Sequence, residues 1–169
     1  IVRTALPDEG NSYRMDLKAS GGDLGGLDGG WALDLSGDAD SDLELVGSKN
    51  SSTDSSITSL KFGTSGTGVA QVIVSTCQSL VVDGTIDAGH TGTGRVGVNG
   101  GGSISADNIQ LRQNGGLPST ITGVGTDFTV RNNVTVGQPE NSALVVTNDA
   151  VVTVGNQFTI GSGGALTLT

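Results

Sequence analysis

The chain has 169 residues, among them 29 glycines, one tryptophan, one tyrosine and three phenylalanines, and its formal net charge is −9. This acidity argues against a nucleic-acid partner, because phosphate binding needs clustered Lys and Arg. Runs of valine, isoleucine and leucine argue against disorder, and no apolar stretch approaches the roughly 20 residues of a membrane-spanning helix. We therefore expect one folded domain without membrane insertion.

Residues 1–42 differ from the rest of the chain in composition and residue pattern. "RTALPDEGNSYRMDLK" lacks regular alternation, and "ASGGDLGGLDGGWALDLSGDADSD" is dominated by glycine, aspartate and leucine. Because a repetitive β fold needs its end covered, we predict that residues 1–42 form an N-terminal cap or an extended arm, with Trp31 plugging the first coil. The alternative is that "WALDLS" and "DLELV" themselves form the first coil, behind an arm.

An acidic cluster, "DLSGDADSDLE", ends this region. A strand would point Asp38, Asp40 and Asp42 to one face, and Ca²⁺ takes six to eight oxygen ligands of this kind. The EF-hand pattern fails, since Leu43 stands where its glycine would be and Lys49 where its last glutamate would be. We keep two interpretations: a looser Ca²⁺ site formed by Asp38, Asp40 and Asp42, and a solvated acidic turn.

Residues 43–169 read as short strands. Apolar runs of three to six residues, rich in Val, Ile and Thr, alternate with glycine, asparagine, aspartate and serine clusters such as "GTSGTG" and "NGGG". These side chains fit a pleated surface, and the clusters fit turns. No window longer than ten residues has the spacing of an amphipathic helix. The pattern predicts an all-β fold.

Self-similarity narrows the fold further. "SALVVT" at 142–147 recurs as "GALTLT" at 164–169, and "SGTG" at 65–68 recurs as "TGTG" at 91–94. "VTVG" at 134–137 recurs at 152–155, followed by "FTIG" at 158–161. A period in the low to middle twenties suits one turn of a parallel β-helix, so we predict a single β-solenoid of roughly five to six coils over residues 43–169.

The segment "ALVVTNDAVVTVGNQFTIGSGGALTLT" resembles the repeats of secreted right-handed β-helix proteins, in particular autotransporter passenger domains and autotransporter-like surface adhesins. The resemblance extends over about residues 57–169. It implies a secreted or cell-surface location and a structural or adhesive role, and it transfers no functional residue.

Isolated reactive residues do not form a catalytic signature. The single cysteine, Cys77, makes no intrachain disulfide and is expected to be a buried strand residue. His90 lies in a glycine-rich turn, without the G-x-S-x-G elbow of a hydrolase, so we expect it to be exposed. Arg95, Arg112 and Arg131 recur at nearly the coil spacing. They would line one face if they served as bases beside acidic residues, and they would otherwise be separate surface arginines.

Three functional hypotheses remain. The first is a non-enzymatic extracellular structural or adhesive protein, a subunit of a surface appendage or filament. The second is a carbohydrate-binding or carbohydrate-cleaving β-helix, for which scarce aromatic residues are a poor sign. The third is a viral capsid-decorating protein of β-sandwich type, which would require antiparallel strands.

The last strand, "GALTLT", has no charge or proline to block its edge. We expect either that the solenoid continues in a longer protein or that this end meets another copy. Val152 and Ile160 are expected to point into the coil, and we predict self-association into an oligomer or filament.

Overall fold

The computed structural model describes residues 13–15, 32–35, 41–46, 54–57, 59–63, 69–75, 79–112, 115–138 and 140–169, with side chains from residue 59 onward. These residues contain fifteen strands and no helix. In chain order the strands are β1 (Tyr13–Met15), β2 (Ala32–Leu35), β3 (Ser41–Val46), β4 (Asp54–Ile57), β5 (Ser59–Phe62), β6 (Val69–Ser75), β7 (Ser79–Ala88), β8 (Thr93–Asn99), β9 (Ser103–Leu111), β10 (Ser119–Thr122), β11 (Asp127–Val136), β12 (Ser142–Thr147), β13 (Val151–Val154), β14 (Gln157–Ile160) and β15 (Gly164–Leu168).

The strands form two sheets. Sheet A has the order β1-β3-β6-β8-β10-β12-β15, and sheet B has the order β13-β11-β9-β7-β5-β2, with β14 paired to β11 and β4 to β7. Every described pair is parallel. The chain therefore winds as a parallel β-solenoid, as the sequence predicted, but with about four turns instead of the roughly five to six coils expected from the repeat spacing. The β-sandwich alternative is wrong, because it needs antiparallel pairing.

Alternation along each strand builds the core. In β12, Ser142, Leu144 and Val146 are buried, whereas the residues between them are half-buried on the outer surface. Because side chains in a strand point alternately to opposite faces, every second residue enters the coil. Full burial of one valine or leucine side chain contributes about 1.5–3 kcal/mol, so the aliphatic residues at these positions hold successive coils together.

In-register pairing stacks these residues into columns along the solenoid axis. In sheet B, Leu80, Ile104, Phe128 and Val152 follow one another in register. The corresponding column in sheet A consists of Val74, Val98, Ile121, Val146 and Leu168. Members of each column are buried until the last coil is reached. The columns explain why a sequence repeat of one coil length preserves the core.

Of the two literal repeats that lie wholly within the described residues, only one corresponds to the structural repeat. "SALVVT" and "GALTLT" do align, since Ser142 pairs with Gly164 and Leu144 with Leu166. "VTVG" at 134–137 instead aligns with "FTIG" at 158–161, because Val134 pairs with Phe158 and Val136 with Ile160. The second "VTVG" forms β13, which pairs with the first half of β11. The two "VTVG" copies are therefore closer in sequence than one full coil. This is because both halves of the bent strand β11 carry a similar apolar-Thr-Val motif, "FTV" and "VTV".

The turns from sheet A to sheet B use left-handed backbone. Gly100 and Gly101 have φ of 58° and 79°, and in a later coil Asn148 and Asp149 have φ of 56° and 61°. Left-handed backbone favours glycine, and asparagine and aspartate tolerate it better than other residues. The "NGGG" and "TND" segments therefore meet the same requirement for positive φ at a corner, one with glycines and the other with asparagine and aspartate.

Close approach between coils also restricts residue type. At Gly137, which has φ of 68°, an added Cβ would lie 2.2 Å from the Cα of Gly164 in the next coil. Any side chain there would force the two coils apart. Part of the glycine content therefore reflects contact between coils at the corners.

Three strands within residues 13–46 extend the sheets. β1 pairs with β3, β3 pairs with β6, and β2 pairs with β5. Most other residues up to 58, including Trp31, lie outside the described residues. The division at residue 42 into a cap or arm and a solenoid therefore stays a prediction.

Candidate functional site

The three predicted calcium ligands fall largely outside the described residues. Asp38 and Asp40 are not described, and Asp42 lies in β3, in register with Arg14 and Gln71. Within the described ranges, no group of three or more His, Cys, Asp or Glu side chains could hold a metal ion. The Ca²⁺ site at Asp38, Asp40 and Asp42 stays a prediction.

His90 lies at a corner of the solenoid. Its backbone N–H donates to the carbonyl of Gly63 at 3.0 Å, and its Nε2 is 3.6 Å from Oε1 of Glu140. The imidazole is 44% exposed, so His90 is half-buried against Glu140, where the sequence predicted an exposed side chain. Cys77 lies outside the described residues.

Arg131 joins three consecutive coils. It lies at the bend of β11, where its guanidinium contacts the carboxylate of Asp107 in β9 and lies 3.7 Å from that of Asp83 in β7. The same guanidinium donates to the carbonyl of Val82 at 3.3 Å. One positive charge thus separates two carboxylates that belong to neighbouring coils.

A second arginine makes a similar link. The Nε of Arg112, just after β9, is 3.1 Å from Oδ1 of Asp87 in β7, and its guanidinium also contacts Oε1 of Gln110. Arg95 lies in β8 of sheet A, whereas Arg131 lies in β11 of sheet B. The arginines therefore do not line one face, and the hypothesis of a shared row of bases is wrong.

A ladder of asparagines runs beside Arg131. The Nδ2 of Asn133 donates to Oδ1 of Asn108 at 3.3 Å, and the Nδ2 of Asn156 donates to Oδ1 of Asn133 at 2.9 Å. The sequence carries a signal for this ladder, because an asparagine precedes each of "IQL", "VTV" and "QFTI", one coil apart. Asn133 also opens an Asn-x-Thr glycosylation sequon, and the folded ladder occupies its side-chain amide.

The last coil differs from the others because its inward side chains are incompletely covered. Val152, Val154, Phe158 and Leu166 pack against the core on one side but remain only partly buried. Val152 thus faces the coil as predicted. Ile160 lies in register with the buried Val136 but is 49% exposed. We call these residues, together with the unpaired edges of β13, β14 and β15, the tail surface, which is the face of the last coil that lies across the solenoid axis.

Strand edges and a shallow groove complete the tail surface. β13, β14 and β15 are the outermost described strands of their sheets and pair on one side, with β11 and β12. A groove at one corner is lined by Val146, Thr147, Asp149, Ala150, Leu168 and Thr169. Leu168 is 68% exposed. Residues 150–169 contain no charged side chain, whereas Asp149 lines the groove, so the tail surface combines partly covered aliphatic side chains and backbone hydrogen-bonding groups with one carboxylate.

Such a surface is suited to adding another strand. The exposed edge of a sheet offers N–H and C=O groups in the spacing of a β ladder. The partly covered side chains lie directly beside those groups, and they extend columns that are buried in the preceding coil. A further coil placed here would gain both backbone hydrogen bonds and hydrophobic burial.

None of the described residues forms a helix that is long and apolar enough to cross a membrane. No protein-family model matches the chain, and the searches of curated proteins and of solved structures returned no match. The parallel β-solenoid is accordingly established from the chain's own geometry.

Proposed function

We propose that this protein is a non-enzymatic extracellular structural or adhesive protein, a subunit of a surface appendage or filament that associates through its solenoid ends. The tail surface is the single observation that carries the proposal. It combines three strand edges with aliphatic side chains that are buried at the equivalent positions one coil earlier. Open strand edges beside partly covered aliphatic side chains offer another chain both hydrogen bonds and hydrophobic burial.

The use of charge along the solenoid supports a structural role. Arg131 and Arg112 contact carboxylates of the preceding coils, and His90 lies beside Glu140. These charged side chains link coils to one another. We therefore propose a scaffold rather than an enzyme, and the resemblance to autotransporter-like adhesins supports a location outside the cell or at its surface.

Two substitutions in β15 test the proposal. Leu168 continues the inward column that contains Val146, whereas Thr167 continues the outer column that contains Val145. Both side chains are exposed. Leu168→Asp places a carboxylate where an added coil would bury it, and Thr167→Asp adds the same charge on the side of the solenoid.

We expect Leu168→Asp to weaken self-association at least about tenfold, since burying an unpaired charge costs far more than the roughly 1.4 kcal/mol that a tenfold change represents. Thr167→Asp should change the association constant less than about threefold, because its charge stays in water. Sedimentation velocity over a concentration series measures both constants, and thermal unfolding by circular dichroism shows whether both variants fold. Equal weakening by two folded variants, or a wild type that stays monomeric, would contradict the proposal.

Carbohydrate binding is the alternative function. It would be supported if the wild type is monomeric and binds an oligosaccharide in a glycan array. The glycan would then be expected on the polar outer surface of sheet B, where Asn108, Asn133 and Thr135 lie.

A further inference from the structure

We propose that two copies of this chain pack face to face through the outer surface of sheet A, with Val145 of each copy seated over Gly97 of the other. This contact lies on the side of the solenoid, so it is separate from the proposed association through the ends and does not depend on it. Its residues lie in β8, β10 and β12, which are neighbours in the interior of sheet A.

Gly97 is the residue that points to an outside partner. Its neighbours Val96 and Val98 point into the coil, so Gly97 faces outward, and it pairs without a register shift with Ile73 on one side and Thr120 on the other. Its φ is not left-handed, and an added Cβ would lie 3.5 Å from Cγ1 of Ile73 and 4.0 Å from Oγ1 of Thr120, which are ordinary contacts. Neither the backbone nor the packing within the chain therefore requires glycine. A glycine inside a regular strand lowers stability and commonly marks the close approach of another backbone or a ligand.

The outer column that contains Gly97 is complementary to itself. Along the solenoid axis it consists of Ile73, Gly97, Thr120 and Val145. Gly97 lies one coil before Thr120, and the half-buried Val145 lies one coil after it. A two-fold axis that runs along β10, between the two faces, therefore brings the two Thr120 residues opposite each other and each Val145 opposite a Gly97. Such an interface is isologous and closes at two copies.

Charge favours sheet A over sheet B as the contact face. β6, β8, β10 and β12 carry one charged residue, Arg95, whereas β7, β9 and β11 carry five, namely Asp83, Asp87, Asp107, Asp127 and Arg131. The two-fold arrangement places Arg95 opposite Ala143, so like charges do not meet. Because burying unpaired charges is costly, a second copy of this acidic chain meets the least resistance at sheet A.

The size of the face predicts a weak contact. Four strands about 4.8 Å apart and about 20 Å long cover about 400 Å², so two copies bury about 800 Å² in total, which is in the range of transient complexes. We therefore expect a dissociation constant of about 0.1–1 mM. The contact should appear only at high protein concentration.

Cross-linking through single cysteines tests this arrangement. The test variant carries Thr120→Cys in a Cys77→Ser background, and the matched control carries Thr135→Cys, which replaces a half-buried outer threonine of β11 in sheet B. Stacked sheets lie about 10 Å apart, which is too far for a direct disulfide, so a short bismaleimide reagent joins the thiols. At protein concentrations near the expected dissociation constant, Thr120→Cys should give at least about threefold more covalent dimer than Thr135→Cys.

A second pair of variants tests the fit of Val145 over Gly97. In the Thr120→Cys chain, Gly97→Val should lower the yield of covalent dimer about tenfold, because the added side chain meets Val145 of the other copy. Adding Val145→Ala to Gly97→Val should restore most of the yield. Thermal unfolding by circular dichroism shows whether each variant folds.

Equal dimer yields from Thr120→Cys and Thr135→Cys would overturn the inference, and this comparison decides the question even if Gly97→Val unfolds. A folded Gly97→Val variant that cross-links as well as its parent would overturn it too. Neither result bears on the association through the ends, which Leu168→Asp tests by sedimentation at low concentration. Failure of this inference and failure of the proposed function are therefore distinguishable.

Discussion

Two buried serine hydroxyls inside the coil differ in whether they have a hydrogen-bond partner. Ser119 begins β10 and Ser142 begins β12, and both are almost fully buried. The Oγ of Ser119 accepts a hydrogen bond from the backbone N–H of Val96 at 3.1 Å. The buried Oγ of Ser142 has no hydrogen-bond partner. A buried polar group without a partner costs about 1–3 kcal/mol.

We therefore expect Ser142→Ala to raise the free energy of unfolding by about 1 kcal/mol and Ser119→Ala to lower it by about the same amount. The two substitutions remove the same atom, so the opposite signs would isolate the hydrogen bond. Urea unfolding followed by circular dichroism measures both changes. Destabilisation by Ser142→Ala would show that its hydroxyl has a partner in solution.

The acidic cluster gives a second prediction at the residue scale. If Asp38, Asp40 and Asp42 bind Ca²⁺, a tenfold excess of the ion over its dissociation constant stabilises the folded chain by about 1.4 kcal/mol. For a domain of this size that corresponds to a rise in Tm of about 3–6 °C. The rise should disappear when all three residues are changed to asparagine and when Mg²⁺ replaces Ca²⁺. An unchanged Tm in the wild type would favour the solvated turn.

At the scale of the element, the bend of sheet B is stabilised by ion pairs between side chains of different coils. Arg131 contributes one positive charge to a bend where Asp83 and Asp107 come from the two preceding coils. Its side chain is 44% exposed, so solvent screens the attraction. The contacts nevertheless connect three coils, so the effect of a substitution in one coil on the free energy of unfolding should depend on the residue in the neighbouring coil.

We predict that Arg131→Gln lowers the free energy of unfolding by about 0.5–1 kcal/mol, the range for partly exposed ion pairs. The loss should be smaller in an Asp107→Asn background, because the contact is already broken there. Arg131→Lys is the matched control, since it keeps the charge without the planar fork that reaches both the carboxylate and the carbonyl. Additive effects of Arg131→Gln and Asp107→Asn in chemical unfolding would contradict the coupling.

The sequence predicted the elements better than the contacts between them. Alternating Val, Ile and Thr residues identify the strands, because their period of two is visible in any one run. The pairing of "VTVG" with "FTIG" was missed, since identity of letters pointed to the second "VTVG" instead. Arg131 and Asp107 are a full coil apart in the sequence, and only knowledge of the bend in each coil brings them together. The asparagine ladder was visible as a spacing but carried no meaning before the register was known.

At the scale of the whole molecule, the repeat accounts for the parallel solenoid and for the partly covered aliphatic side chains of its tail surface. Val74, Val98, Ile121 and Val146 are each covered by the next coil, while Leu168 in the same column is 68% exposed. Residue type alone does not tell which of these five residues is exposed, because all five are ordinary aliphatic strand residues. Their position along the axis distinguishes a core residue from a surface residue.

Size-exclusion chromatography coupled to light scattering, with negative-stain electron microscopy of the same fractions, tests the central claim most directly. Association through the solenoid ends predicts a mass that rises with protein concentration and unbranched filaments. A monomer with the mass of one chain at every concentration would contradict it.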